Sequence, residues 1–115
     1  MIFETHAHYD DEAFIKDREE VLKSLQQSGI SFVVNVSASI ESIKTTLELT
    51  KQYPFVYGTV GVHPDDTKDL NDENFAWLKE MTKEPKVVAV GEIGLDYYWD
   101  ATDRKVQKLW FDRQM

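Results

Sequence analysis

Two imidazoles two residues apart, in His6-Ala7-His8, are the first place where this chain could do chemistry. On an extended strand, positions i and i+2 point to the same side, so both ring systems can converge on one cation. A second place is Gly91-Glu92-Ile93-Gly94-Leu95-Asp96, where a carboxylate stands between two glycines that permit close backbone approach. A carboxylate among imidazoles is either a metal ligand or a general base. The third is Gly61-Val62-His63-Pro64. His63 has the chemistry to ligate a metal, to hydrogen-bond a phosphate or to cap a turn ahead of the proline. Each segment alone also has an inert reading: a chance H-x-H pair, a glycine-rich turn whose acids face water, a histidine that only closes a turn.

The elements that must position these residues favour the chemical reading. Four β-branched or apolar runs read as strands: Ile2 to His6, Phe32 to Val36, Val56 to Val62 and Val87 to Gly91. Runs this rich in valine are expected of strands buried on both faces. Amphipathic stripes lie between and after them. Phe14, Val21, Leu22 and Leu25 predict a first helix, with Gly29 placed for a left-handed C-terminal cap. Ile40, Ile43 and Leu47 predict a second, opened by Ser39 and stopped before Pro54. Phe75, Leu78 and Met81 follow Asn71 or Asp72 as the third, and Val106, Leu109 and Trp110 mark a fourth that starts near Thr102. Arg104 and Arg113 on that last helix read as solvated, and Trp99 as a plug at the rim of the sheet.

Four strand–helix units in succession imply a parallel sheet with crossover helices, either an open doubly wound sheet or part of a (β/α)8 barrel. No G-x-G-x-x-G follows the first strand, which favours the barrel. The chemistry-bearing residues then share one address. His6 and His8 lie at or just past the end of the first strand, Ser37 after the second, His63 after the third and Glu92 after the fourth. In parallel α/β folds the loops after the carboxyl ends of the strands form the active face.

Composition narrows the setting. A length of 115 residues, 42% hydrophobic and 30% charged, allows one small globular domain with a modest core. The net charge of −8 repels polyanions and argues against a protein that coats nucleic acid through a basic surface. It leaves room for an enzyme of phosphate esters in which bound cations supply local positive charge. There is no cysteine, hence no disulfide or thiolate ligand, and no apolar run approaches the ~20 residues of a membrane span. With no basic-then-apolar leader at the N-terminus, a cytoplasmic location is expected.

Taken together, Phe3-Glu4-Thr5-His6-Ala7-His8, Gly61-Val62-His63-Pro64 and Gly91-Glu92-Ile93-Gly94-Leu95-Asp96-Tyr97-Tyr98 resemble the TatD family of metal-dependent deoxyribonucleases, in order and spacing along the whole chain. The resemblance implies a TIM-barrel hydrolase holding one or two divalent ions (Zn, Mn or Mg) that cleaves phosphodiester bonds in DNA through a metal-activated water. Carried over by position, His6 and His8 match the family's first-strand ligands, and Glu92 matches the carboxylate bridging two metals. His63 and Asp96 match motif positions that support the ligands or bind substrate. Glu4 stands where the family usually has Asp.

A complete barrel of this kind needs about 250 residues. Residues 1–115 are therefore expected to be a single domain: four βα units forming the N-terminal half of a (β/α)8 TIM barrel, incomplete at the C-terminus. Two further histidines and an aspartate of the family's ligand set have no counterpart here. The half-barrel is expected to self-associate or to pair with a complementary half, without contact to membrane. Hydrolysis of another bond, ester or amide, and a non-catalytic assembly module are the alternative functions.

Overall fold

The structure, a computed structural model, describes residues 1–115. Four strands, β1 (Ile2–Ala7), β2 (Ile30–Asn35), β3 (Val56–Val60) and β4 (Val87–Val90), alternate with helices α1 (Arg18–Gln27), α2 (Ile40–Gln52), α3 (Asp72–Met81) and α4 (Arg104–Gln114). The strands form one sheet in the order β1-β2-β3-β4, every pair parallel. Spatial order follows chain order, as in successive units of a barrel. A doubly wound sheet reverses order partway across.

The burial expected of the valine-rich runs holds for the inner strands and fails for Val87–Val90, because β4 is an edge strand with no neighbour on its far side. Val33, Val56 and Val60 are fully buried, whereas β1 and β4 keep Ile2, Phe3, Val88 and Val90 exposed. One apolar cluster joins Leu22 and Leu25 of α1 to Val33, Leu49, Phe55 and Val56; a second joins Ile43 and Leu47 to Val60, Val62, Leu78 and Trp110. Each such side chain contributes about 1.5–3 kcal/mol on burial. These contacts fix the helices against the sheet and leave the strand ends to carry polar groups. No helix is long and apolar enough to cross a membrane.

Caps set the helix boundaries. Ser39 Oγ accepts from the Ser42 N–H at the start of α2. Asn71 and Asn74 form a reciprocal capping box that opens α3. Gly29 takes φ +88° after α1, a conformation costly for any residue with a Cβ.

Two helices differ from the sequence expectation. Phe14 lies in a separate 3-10 turn, Glu12–Phe14, capped by the Asp11 carboxylate, so the apolar stripe continues across two elements. The last helix begins at Arg104, because the Asp103 carboxylate accepts from the Lys105 and Val106 N–H groups. Its buried residues are Gln107, Trp110 and Gln114, while Leu109 is exposed. Two amides replace apolar residues on that face because they have backbone to bind. Gln114 both accepts from the Val62 N–H and donates to the Val62 carbonyl.

At the amino end of the sheet, just before β4, the Lys86 ammonium donates to the Thr50 and Tyr53 carbonyls at the C-terminus of α2 and lies over the Tyr57 ring. Desolvation lowers its pKa. Phe3, Phe32 and Tyr57 stack in sequence across β1, β2 and β3, with ring centroids 5.5 and 6.2 Å apart.

Candidate metal centre

At the opposite end, the carboxyl ends of the strands bring all three histidines around one carboxylate. Glu92 Oε2 lies 3.7 Å from His6 Nε2 and 3.9 Å from His8 Nε2, and its Oε1 lies 3.8 Å from His63 Nε2. The two β1 imidazoles are 3.2 Å apart, Nε2 to Nε2. A circle through His6 Nε2, His8 Nε2 and Glu92 Oε2 has a radius of about 2.1 Å, the length of a zinc bond to imidazole nitrogen or carboxylate oxygen. Two imidazoles and a carboxylate are also a donor set suited to divalent transition ions. Geometry and chemistry both fit such an ion at these three residues.

The tautomer of His8 fits as well. Its Nδ1 is 2.8 Å from the Val36 carbonyl, which can only accept, so Nδ1 carries the proton and Nε2 keeps a lone pair. His6 near the end of β1 and His8 just past it bring their rings to the same point, consistent with the i, i+2 spacing of extended chain.

Glu92 is held through its peptide by β3 and by Ser37, just past the end of β2. Gly91 N–H donates to the Val60 carbonyl, Glu92 N–H donates to the Ser37 carbonyl at 2.6 Å, and the Thr59 hydroxyl donates to the Gly91 carbonyl at 2.6 Å. The Gly91–Glu92 peptide is cis. Gly61 permits this approach: a Cβ there would fall 2.5 Å from the Gly91 carbonyl carbon. The turn chemistry read from the sequence thus lies on two strands at once, Gly61 making room and Gly91 filling it.

His63 has a double role in the geometry. Its Nδ1 accepts from the Asp65 N–H and caps the 3-10 segment Pro64–Asp69, which leaves Nε2 as the protonated nitrogen facing Glu92. Asp96 is not among the groups around His6 and His8. It gathers with His63 and Asp65, their ligand atoms all within 4.8 Å of one another. Gln107, fully buried, accepts from the Asp96 N–H and donates to the Asp96 and Thr102 carbonyls, pinning the loop between β4 and α4. Desolvation raises the pKa of neighbouring Asp66; Asp69 and Asp65 add to the rise, and His63 and Lys68 oppose it.

A groove of about 580 Å³ runs from His8 and Glu92 between the β1–α1 loop and the start of α2, lined by Asp11, Arg18, Glu41 and Ser42 among others. Arg18 is committed to the loop, donating to the Tyr9, Asp10 and Asp11 carbonyls. Asp10 accepts from Asn35 and Ser42.

Sequence reasoning missed Asp65, Thr59, Gln107 and the Asp10–Asn35 pair. Only Asp65 had a local signal, two residues after His63. The aromatic and basic residues of the last segment also differ from expectation. Trp99 is 70% exposed on the β4–α4 loop, packed edge-on against Tyr98, and plugs nothing in this chain. Arg113 is not simply solvated: it pairs with Asp72 at 2.7 Å and stacks on Phe75 and Trp110. Arg104 covers the Tyr97 ring.

Comparison with known proteins joins this geometry to a family. Residues 3–115 match the family model described as TatD related DNase. The chain belongs to the TatD family. Among relatives of this TatD-family chain, an uncharacterized metal-dependent hydrolase, YabD of Bacillus subtilis, is 38% identical over 115 residues, covering 100% of this chain and 45% of the relative. The 3'-5' ssDNA/RNA exonuclease TatD of Erwinia tasmaniensis is 29% identical, covering 99% and 44%. The crystal structure of YjjV, a TatD homologue from Escherichia coli K12, superposes with a TM-score of 0.87 at 30% identity over 98% of this chain and 44% of that one. The chain thus spans less than half the length of these relatives, and its four βα units match the N-terminal half of a TIM barrel.

Proposed function

We propose that residues 1–115 form the N-terminal half of a metal-dependent hydrolase that cleaves phosphodiester bonds in DNA, with His6, His8 and Glu92 as metal ligands. The observation that carries this reading is the meeting of His6 Nε2, His8 Nε2 and Glu92 Oε2 around a point about 2.1 Å from each. The name of the Erwinia relative supports a nucleic-acid substrate.

A bound divalent ion supplies Lewis acidity and lowers the pKa of coordinated water toward neutrality. The chain's own residues do the rest. Val36 fixes the His8 ring so that its lone pair faces inward. Glu92 presents Oε2 to the imidazole pair and leaves Oε1 turned toward His63. His63 Nε2–H, held in that tautomer by the Asp65 N–H, is placed to hydrogen-bond a phosphate oxygen, and Asp96 stands behind it. The family's remaining ligands belong to a complementary half-barrel, joined along the open edges of β1 and β4. The direct test is Glu92→Ala in a complete barrel, assayed on single-stranded DNA with Mn²⁺. Loss of hydrolysis is expected, and unchanged turnover refutes the role.

The groove beside His8 favours a second reading. Asp11, Glu12 and Glu41 line it, and its one cation, Arg18, is occupied by backbone carbonyls. Such a surface suits an uncharged or cationic ester or amide better than a polyanion. Comparing turnover of DNA with that of small neutral esters and amides separates the two.

A further inference from the structure

We infer that Thr59 is a positioning residue for Glu92, acting through the backbone and not through the carboxylate; the inference rests on the metal-centre reading above. The Thr59 hydroxyl is the junction of three strand ends. It accepts from the Ser37 N–H at 3.2 Å and donates to the Gly91 carbonyl at 2.6 Å. Ser37 answers twice: its hydroxyl donates to the Thr59 carbonyl at 2.7 Å, and its own carbonyl accepts from the Glu92 N–H at 2.6 Å. Both polar groups of the peptide that carries Glu92 are therefore bound, one by Thr59 and one by Ser37.

Ser37 is fully buried and Thr59 nearly so, with 0% and 6% exposure, so the two side chains that hold the peptide are themselves shielded from water. The Glu92 side chain, by contrast, accepts no hydrogen bond from the protein and only approaches the three imidazoles at 3.7–3.9 Å. Its place is set from the main chain outward. Removing the Thr59 hydroxyl leaves the Gly91 carbonyl without its donor and frees the peptide to tilt, which moves Oε2 off the His6–His8 pair. Groups that orient a ligand without touching the metal commonly change affinity by about 10–100-fold.

The experiment is calorimetric titration with Mn²⁺ of the full chain and of Thr59→Val, Thr59→Ser and Glu92→Ala, alongside thermal unfolding of each without metal. Thr59→Val is expected to bind Mn²⁺ about 10–100-fold more weakly. Thr59→Ser, which keeps the hydroxyl, is expected to restore near-original affinity. A purely structural Thr59 lowers the unfolding midpoint but leaves the affinity of folded protein unchanged, and that result overturns the inference. If the parent chain fails to bind Mn²⁺, or Glu92→Ala binds as the parent does, the metal-centre reading itself fails and the inference with it. Should Thr59→Val not fold, Ser37→Ala removes the bond that holds Thr59 from the other side. A several-fold loss of affinity is then expected, and unchanged affinity overturns the inference equally.

Discussion

His8 Nδ1 and the Val36 carbonyl lie 2.8 Å apart, joining the exit of β1 to the exit of β2 and fixing which nitrogen of His8 holds the proton. One hydrogen bond therefore couples strand pairing to the tautomer of a candidate ligand.

Metal binding is expected to stabilise the fold. At free Zn²⁺ a hundredfold above Kd, linkage gives about 2.7 kcal/mol for a single site. Urea unfolding with and without chelator checks this. In His8→Ala the difference between the two curves should shrink toward zero; an undiminished difference would place the ion elsewhere.

Asp66 is expected to limit stability at neutral pH. Burial raises its carboxyl above the ordinary value in the fold, so the neutral acid contributes stability below the unfolded value, and that contribution is lost as pH rises through the folded value. Asp66→Asn should raise the urea midpoint at pH 7, by roughly 0.5 kcal/mol or less given its partial exposure. Near pH 3 the gain should vanish. A gain of equal size at both pH values would exclude titration as the cause.

Gly61→Ala should destabilise the chain by about 1–3 kcal/mol, since the added methyl meets the Gly91 backbone and not a yielding side chain. Because it pushes β3 from β4 at the Glu92 peptide, Mn²⁺ affinity should fall with stability. Calorimetry on the folded variant reads the second effect, and an unchanged Kd would show that Glu92 tolerates the displacement.

Gln107→Leu should cost about 1–3 kcal/mol by leaving the buried Thr102 carbonyl and the part-buried Asp96 backbone groups without their partner. Amide hydrogen exchange at Asp96 should accelerate before that of β3. Equal acceleration throughout would mean that the loop is not locally held by Gln107.

The open edges should associate. β1 and β4 each have one unpaired side and expose Ile2, Phe3, Val88 and Val90. Sedimentation velocity is expected to show concentration-dependent species that Val88→Lys reduces. A monomer at every concentration tested would contradict it.

Much of this was legible in residue order. Valine runs marked β2 and β4 but not the exposure of β4, Ser39 and Asn71 marked the helix starts, and the placing of His6, His8, His63 and Glu92 at or after successive strand ends located one rim. Periodicity failed where polar groups took apolar positions. Gln107 and Gln114 face inward because loop and strand-end backbone needed partners, which an amphipathic stripe cannot reveal. The Ser37–Thr59–Gly91 junction was equally hidden, since its members lie 22 and 32 residues apart and meet only through the parallel register.

Lys86 sits at the far end of the sheet from Glu92, neutralising the last turn of α2 and resting on Tyr57. Anchorage and the proposed ion site thereby lie at different poles of the same strands. Substitutions around Lys86 should shift melting while sparing ion affinity, so stability is open to adjustment without disturbing the far rim.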